Sequence, residues 1–170
     1  VSKRPGDRVR EVVFGLDDAP AGSFGVDYGD PLGEGAAYRF VGRLKAGDKY
    51  DDFNSGVRGT LAPSFKVTTN GGTELTFLLN AHIAEEQHNG STFLPYAGTV
   101  TSTEEFGRIG VDQNFSDPDW DEYSREQFSA TLIGEHQFDN DFTLTAIGRV
   151  GIASIEERYW YPFGYSGFSP

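Results

Sequence analysis

The stretch Ala36-Ala37-Tyr38-Arg39-Phe40-Val41-Gly42-Arg43-Leu44-Lys45-Ala46-Gly47 decides the fold. In extended chain, Tyr38, Phe40, Leu44 and Ala46 fall on one side, while Arg39, Arg43 and Lys45 fall on the other. An apolar face back to back with a cationic face, at period 2, is a strand between two unlike environments. In a soluble sheet the cations meet bulk water. In a large barrel they meet an aqueous or plugged lumen.

The alternation continues outward from this stretch. Upstream, about Arg8 to Asp17 sets Val12, Phe14 and Leu16 on one face, and about Gly22 to Asp30 does the same with Phe24, Val26 and Tyr28. Pro31-Leu32-Gly33-Glu34-Gly35 is a turn by composition. Downstream, Val57 to Thr68 aligns Leu61, Phe65 and Val67 with Pro63, which has no N–H for a ladder and so calls for a bulge or an unpaired position. Asn70-Gly71-Gly72 is a hairpin signal. Glu74 to Glu85 follows, with Leu75, Phe77, Leu79, Ala81 and Ile83 opposite Glu74, Thr76, Asn80 and His82. Two further strands are expected, about Tyr123 to Gln137 and Phe142 to about Ile155, joined at Phe138-Asp139-Asn140-Asp141. No segment sustains helical periodicity. The expected fold is all-β, an antiparallel meander of about seven strands.

The connections alternate between a few Gly, Asn, Asp or Pro residues and longer polar runs, the longest from about Gln87 to Glu122. A soluble sandwich has no reason to sort its loops by length onto two ends. A transmembrane β-barrel has short periplasmic turns and long extracellular loops. Most of the expected strands supply the ~9–11 residues that cross a bilayer at a tilt.

Composition narrows the partners. A net charge of -12 argues against nucleic acid, whose binding needs a basic face. With no Cys there is no thiolate nucleophile and no disulfide. Mean hydropathy is -0.45, which weighs little because barrel strands are apolar on one face only. No run approaches the ~18 apolar residues of a membrane helix. The chain starts at Val1, has no Met, and ends in the loop-like Gly164 to Pro170, so a piece of a longer protein is expected.

No catalytic or metal set emerges, and the chain is expected not to be an enzyme. Asp117-Pro118-Asp119-Trp120-Asp121 starts like a calcium loop, but the positions that need Gly and Glu carry Glu122 and Phe128, which leaves a solvated acidic loop. His82, His88 and His136 are scattered. The adjacent acids (Asp51-Asp52, Glu85-Glu86, Glu104-Glu105, Glu156-Glu157) point to opposite faces of extended chain. Gly164-Tyr165-Ser166-Gly167 is one residue short of a nucleophile elbow. What stands out is aromatic. Phe93 and Tyr96 lie in the long excursion, and Tyr159, Trp160, Tyr161, Phe163 and Tyr165 follow the last strand. Strand parity places both groups at the same end. They are expected to form a ligand pocket over a barrel mouth, an aromatic girdle at the membrane interface, or a self-packed loop.

Several short stretches resemble TonB-dependent ferric-siderophore receptors, closest to the ferrichrome-like hydroxamate branch. Val1-Ser2-Lys3-Arg4-Pro5 looks like the end of the plug domain leading into the barrel. Asp27-Tyr28-Gly29-Asp30-Pro31-Leu32 resembles the close of the second barrel strand, with Asp30 interposed between Gly29 and Pro31. Phe93 to Val100 is similar to a Leu-Pro…Gly-Thr-Val signature in the third extracellular loop. Tyr123 to Gln127 resembles the entry to the next strand, and His136 to Leu144 resembles the turn that follows it.

The resemblance implies a 22-stranded outer-membrane β-barrel closed by an N-terminal plug. Residues 1–5 would be the C-terminal end of the plug, and 6–170 the N-terminal part of the barrel, with an extracellular loop at about 87–122. It implies a Gram-negative outer membrane, with lipid and lipopolysaccharide around the barrel, a ferric siderophore as transported ligand, TonB as partner through residues outside this stretch, and no cofactor. Phe93 falls where hydroxamate receptors place an aromatic ligand contact, and Tyr161 and Phe163 fall near a second aromatic pair. Tyr96 and Tyr159 complete the candidate ligand set. The other reading of the same alternation is a small outer-membrane or secreted β-domain with a binding or structural role.

Overall fold

A computed structural model describes residues 3–18, 20–48, 54–87, 94, 96–104, 107–110, 112–115 and 117–160. Seven strands form among them: β1 (Val9–Leu16), β2 (Ala21–Pro31), β3 (Ala36–Asp48), β4 (Ser55–Thr68), β5 (Thr73–Glu86), β6 (Glu122–Gln137) and β7 (Thr143–Arg158). They make one antiparallel sheet in chain order, β1-β2-β3-β4-β5-β6-β7. Among the described residues, the only helical element is a broken turn at Tyr96–Thr99, where Gly98 sits at φ 95. The expected seven-strand meander is therefore present, and most strand ends agree with the alternation to within two residues.

The register keeps the two faces separate across the whole sheet. Tyr38 lies opposite Phe65, Phe65 opposite Phe77, and Phe77 opposite Leu132, giving one apolar row over four strands. Arg39 lies opposite Ser64, Ser64 opposite Leu78, Leu78 opposite Thr131, and Thr131 opposite Arg149 on the other face. Pro63 pairs with Phe40 within the β3–β4 ladder. Toward β5 the ladder skips Ala62 and Pro63 and resumes at Ser64 opposite Leu78, in the same register as Leu61 opposite Ala81. The strand thus absorbs its missing N–H by a gap in the pairing, with no bulge.

Burial is inverted relative to a soluble domain. The buried residues of the strands are small or polar: Ala37, Ala62, Ala84, Asp27, Ser64, Thr76 and Ser129, with Ile133 the largest aliphatic. All belong to the cationic face. On the apolar face Phe77 is 42% and Phe128 44% exposed, and Phe24, Phe40, Phe65 and Leu132 are similar. A single-layer sheet that curls crowds side chains on its inner surface and spreads them on its outer one. The face that carries the buried residues is the polar one, called the inner face below, and Ala, Ser and Thr are what close neighbours there admit.

Parity places the turns 32–35, 69–72 and 138–142 at one end and the connections 17–20, 49–54 and 87–121 at the other. The connection at 17–20 is as short as the turns opposite, so the sorting by length comes from the two later connections. The β2–β3 turn depends on Gly35, at φ 80, whose amide oxygen accepts from Thr68 N at 2.5 Å. A Cβ there would stand 2.9 Å from Thr68 O.

Candidate functional site

Two regions draw together residues that a bare sheet does not need. One lies on the inner face near the short turns. The other lies at the end with the longer connections.

On the inner face, residues before β1 cross the sheet instead of leaving it. Lys3 Nζ donates to Asp27 Oδ2 at 2.6 Å. Arg39 grips both oxygens of the same carboxylate, through Nε and Nη2, each at 2.8 Å. Ser64 Oγ donates to Lys3 O at 2.8 Å, and Arg39 Nη1 donates to Arg4 O at 3.4 Å. Arg4 reaches Glu135 on β6, with 3.7 Å between the charged groups. Pro5 is buried. Asp27 is only 5% exposed, so a carboxylate with little access to water carries two cations. Gly29 makes the grip possible: it lies opposite Arg39, and a Cβ there would meet Arg39 Cγ at 3.2 Å and Tyr38 O at 2.9 Å. A groove of about 470 Å³ continues from this cluster over β1–β4, lined by Lys3, Glu11, Ser23, Asp27, Arg43 and Thr60 among others. Farther along the same face Lys45 pairs with Asp17, Arg58 with Glu86, and Thr60 Oγ1 meets His82 Nδ1 at 3.0 Å. This arrangement holds a segment of chain by charge and hydrogen bonds.

At the other end, β6 begins and β7 finishes around Asp121, which is 5% exposed. Its Oδ2 accepts from Asp117 N at 2.9 Å and its Oδ1 from Trp160 N at 2.7 Å. Asp119 N donates to Asp117 Oδ1 at 3.0 Å, and Asp121 N donates to Asp117 O at 2.7 Å. The loop is solvated as expected at Asp117, Pro118, Asp119 and Trp120, which are exposed, and departs from that expectation only at Asp121. Asp121 is buried and spends its carboxylate on backbone amides. Beside it, Arg158 stacks on Trp120 at 5.4 Å from the ring centroid and pairs with Glu122.

Among the aromatic candidates, Tyr96 is 67% exposed in the broken turn, and Tyr159 follows β7 next to exposed Trp160. Both belong to the end with the long connections. Phe93, Tyr161 and Phe163 lie outside the described residues. The sequence reading passed over Trp120 as a member of this end. The available signal was a Trp two residues before the start of β6, flanked by Asp119 and Asp121. The Lys3–Asp27–Arg39 cluster was also missed, because it depends on where residues before β1 run.

No protein-family model matches this chain, and no curated protein matches it.

Proposed function

We propose that this chain forms part of an outer-membrane receptor that takes up a ferric siderophore with energy delivered through TonB. The observation that carries the reading is the inverted burial of a single sheet. A continuous apolar face stands uncovered, while the buried strand residues lie on the polar face of β2–β6, which also holds the segment before β1. Soluble proteins rarely expose apolar patches beyond a few hundred Å². The outward apolar residues of β5 run from Leu75 to Ile83. That is roughly 27 Å of strand at about 3.4 Å per residue. Tilted by about 40°, it covers about 21 Å, close to the apolar band of a transmembrane barrel at about 25 Å.

On this reading the inner face lines the lumen, and Lys3 to Pro5 are the last plug residues. Seven strands do not close an even-numbered barrel, and the 22 of the resembled family would supply the rest. Phe93, Tyr96, Tyr159, Tyr161 and Phe163 would face the medium and contact the ligand. Nothing in the proposed transport alters the ligand covalently.

The test is binding. The full gene is expressed under iron limitation, and ferric-siderophore affinity is measured on outer-membrane fractions. Binding is expected, and Phe93→Ala is expected to weaken it about tenfold, a loss of roughly 1.4 kcal/mol. Unchanged affinity in a normally folded Phe93→Ala protein removes that residue from the site. A native gene that runs from a signal peptide directly into Val1 and stops at Pro170 would replace the receptor with a small outer-membrane or secreted β-domain.

A further inference from the structure

The outward face does not end alike at its two rims. At the rim with the long connections its positions turn acidic, with Glu85 on β5, Glu126 on β6 and Glu156 on β7. At the short-turn rim of β1–β3 they turn cationic and aromatic. Arg8 Nε binds Asp30 Oδ1 at 3.1 Å, and Arg10 Nη2 binds Asp30 Oδ2 at 2.8 Å. The Arg10 guanidinium lies 5.1 Å from the centroid of the Tyr28 ring, and the Tyr28 and Tyr38 rings are 6.1 Å apart. Register puts all of them on the apolar face, with Arg10 opposite Tyr28 and Asp30 opposite Tyr38.

The exposures in this cluster are uneven. The Asp30 side chain is 14% exposed, against 69% for Arg8 and 55% for Arg10. Two guanidiniums cover one carboxylate and carry a net positive charge beyond it. Each has five N–H donors in a planar fork suited to phosphate. The contacts with Asp30 leave most of those donors uncommitted. Directly along the strands lie Val12, Val26 and Phe40, so the cations sit at the edge of an apolar surface and not on an open polar one. Tyr rings beside cations at such a boundary are the composition of a headgroup-level belt.

We propose that Arg8 and Arg10, framed by Tyr28 and Tyr38, bind the phosphate of an anionic phospholipid in the leaflet at the short-turn rim. The acyl chains lie along the apolar face of β1–β3. The proposal rests on the membrane-spanning reading. Charge and geometry select the ligand: an anion for the fork and two chains for the adjoining apolar surface, which a free phosphate does not provide.

The full-length protein in detergent micelles tests it. A ligand that binds only the folded state raises the unfolding midpoint, and that midpoint is read from the loss of the heat-sensitive gel-mobility shift. Phosphatidylglycerol is expected to raise the midpoint by several degrees over phosphatidylcholine. The Arg8→Gln/Arg10→Gln protein is expected to lose that rise, each lipid being compared with the same variant's own midpoint in phosphatidylcholine. If the double variant does not fold, Arg8→Gln alone, which keeps the Arg10–Asp30 pair, is expected to reduce the rise. The proposal is overturned by equal midpoints in the two lipids, by a rise that survives the substitutions, or by the same rise with inorganic phosphate alone. Absence of the full-length protein from outer-membrane fractions would instead overturn the membrane reading.

Discussion

Asp27 accepts hydrogen bonds from Lys3 and Arg39 on a face where water has little access. Removing its charge leaves the Arg39 guanidinium facing an amide that accepts through one oxygen only. Asp27→Asn is expected to cost about 1–2 kcal/mol, the lower part of the range for an unsatisfied partner because Lys3 stays half exposed. Guanidinium-chloride midpoints of the refolded full-length protein check it. Combining Asp27→Asn with Arg39→Ala is expected to cost less than the two separate losses added together. The charges themselves were legible: Arg39 was expected on the polar face from period 2 alone. Their partners were not. Asp27 is opposite Val41, so the Arg39 contact is diagonal, and it exists because Gly29 leaves room for the arginine stem. Gly35→Ala tests the backbone in the same way. At φ 80 the new Cβ would press on Thr68 O, and a loss of about 1–2 kcal/mol is expected from the left-handed conformation alone.

At the scale of the element, β5 offers neighbours with opposite fates. Leu79 is on the apolar face and Asn80 on the inner one. Leu79→Arg is expected to cost about 2–4 kcal/mol near the middle of a bilayer, and Asn80→Arg much less. The yield of heat-modifiable protein in outer-membrane fractions distinguishes them. Equal yields would mean that the apolar face does not meet lipid. The strands were readable because a period of 2 survives in every one of them, even where Gly or Ala dilutes it. β4 was the hardest, because Pro63 stands in a strand with neighbours on both sides. Its solution, a local gap toward β5 with register kept, cannot be read from one strand, since it needs both partners in place. The connections were less legible still. Asp121 looked like one acid among several, and only the approach of Trp160 from the end of β7 makes it a clamp. The expected pocket residues Phe93, Tyr161 and Phe163 fall outside the described residues, so the aromatic site stands on sequence alone.

At the scale of the sheet, seven strands in chain order leave β1 and β7 as its edges among the described residues. Lipid satisfies neither edge. Residues 1–170 expressed alone are therefore expected to associate through β1 and β7 and to show no discrete heat-modifiable monomer. Size-exclusion chromatography in detergent, over a range of concentrations, checks this. A stable monomer would mean that the edges close on themselves. The fold class was legible because alternation is a property of every strand. The barrel reading of the sequence also put the cationic face toward a lumen, but which of its residues are buried was not legible, because that depends on neighbours across the sheet. The segment before β1 also sets how the sheet answers mechanical load. Lys3 and Arg4 are fastened to β2, β3, β4 and β6. Tension on the chain ahead of Lys3 would be shared among these attachments at once, and would not peel β1 from β2 one bond at a time. Slack would reach β1 only after several strands had let go together.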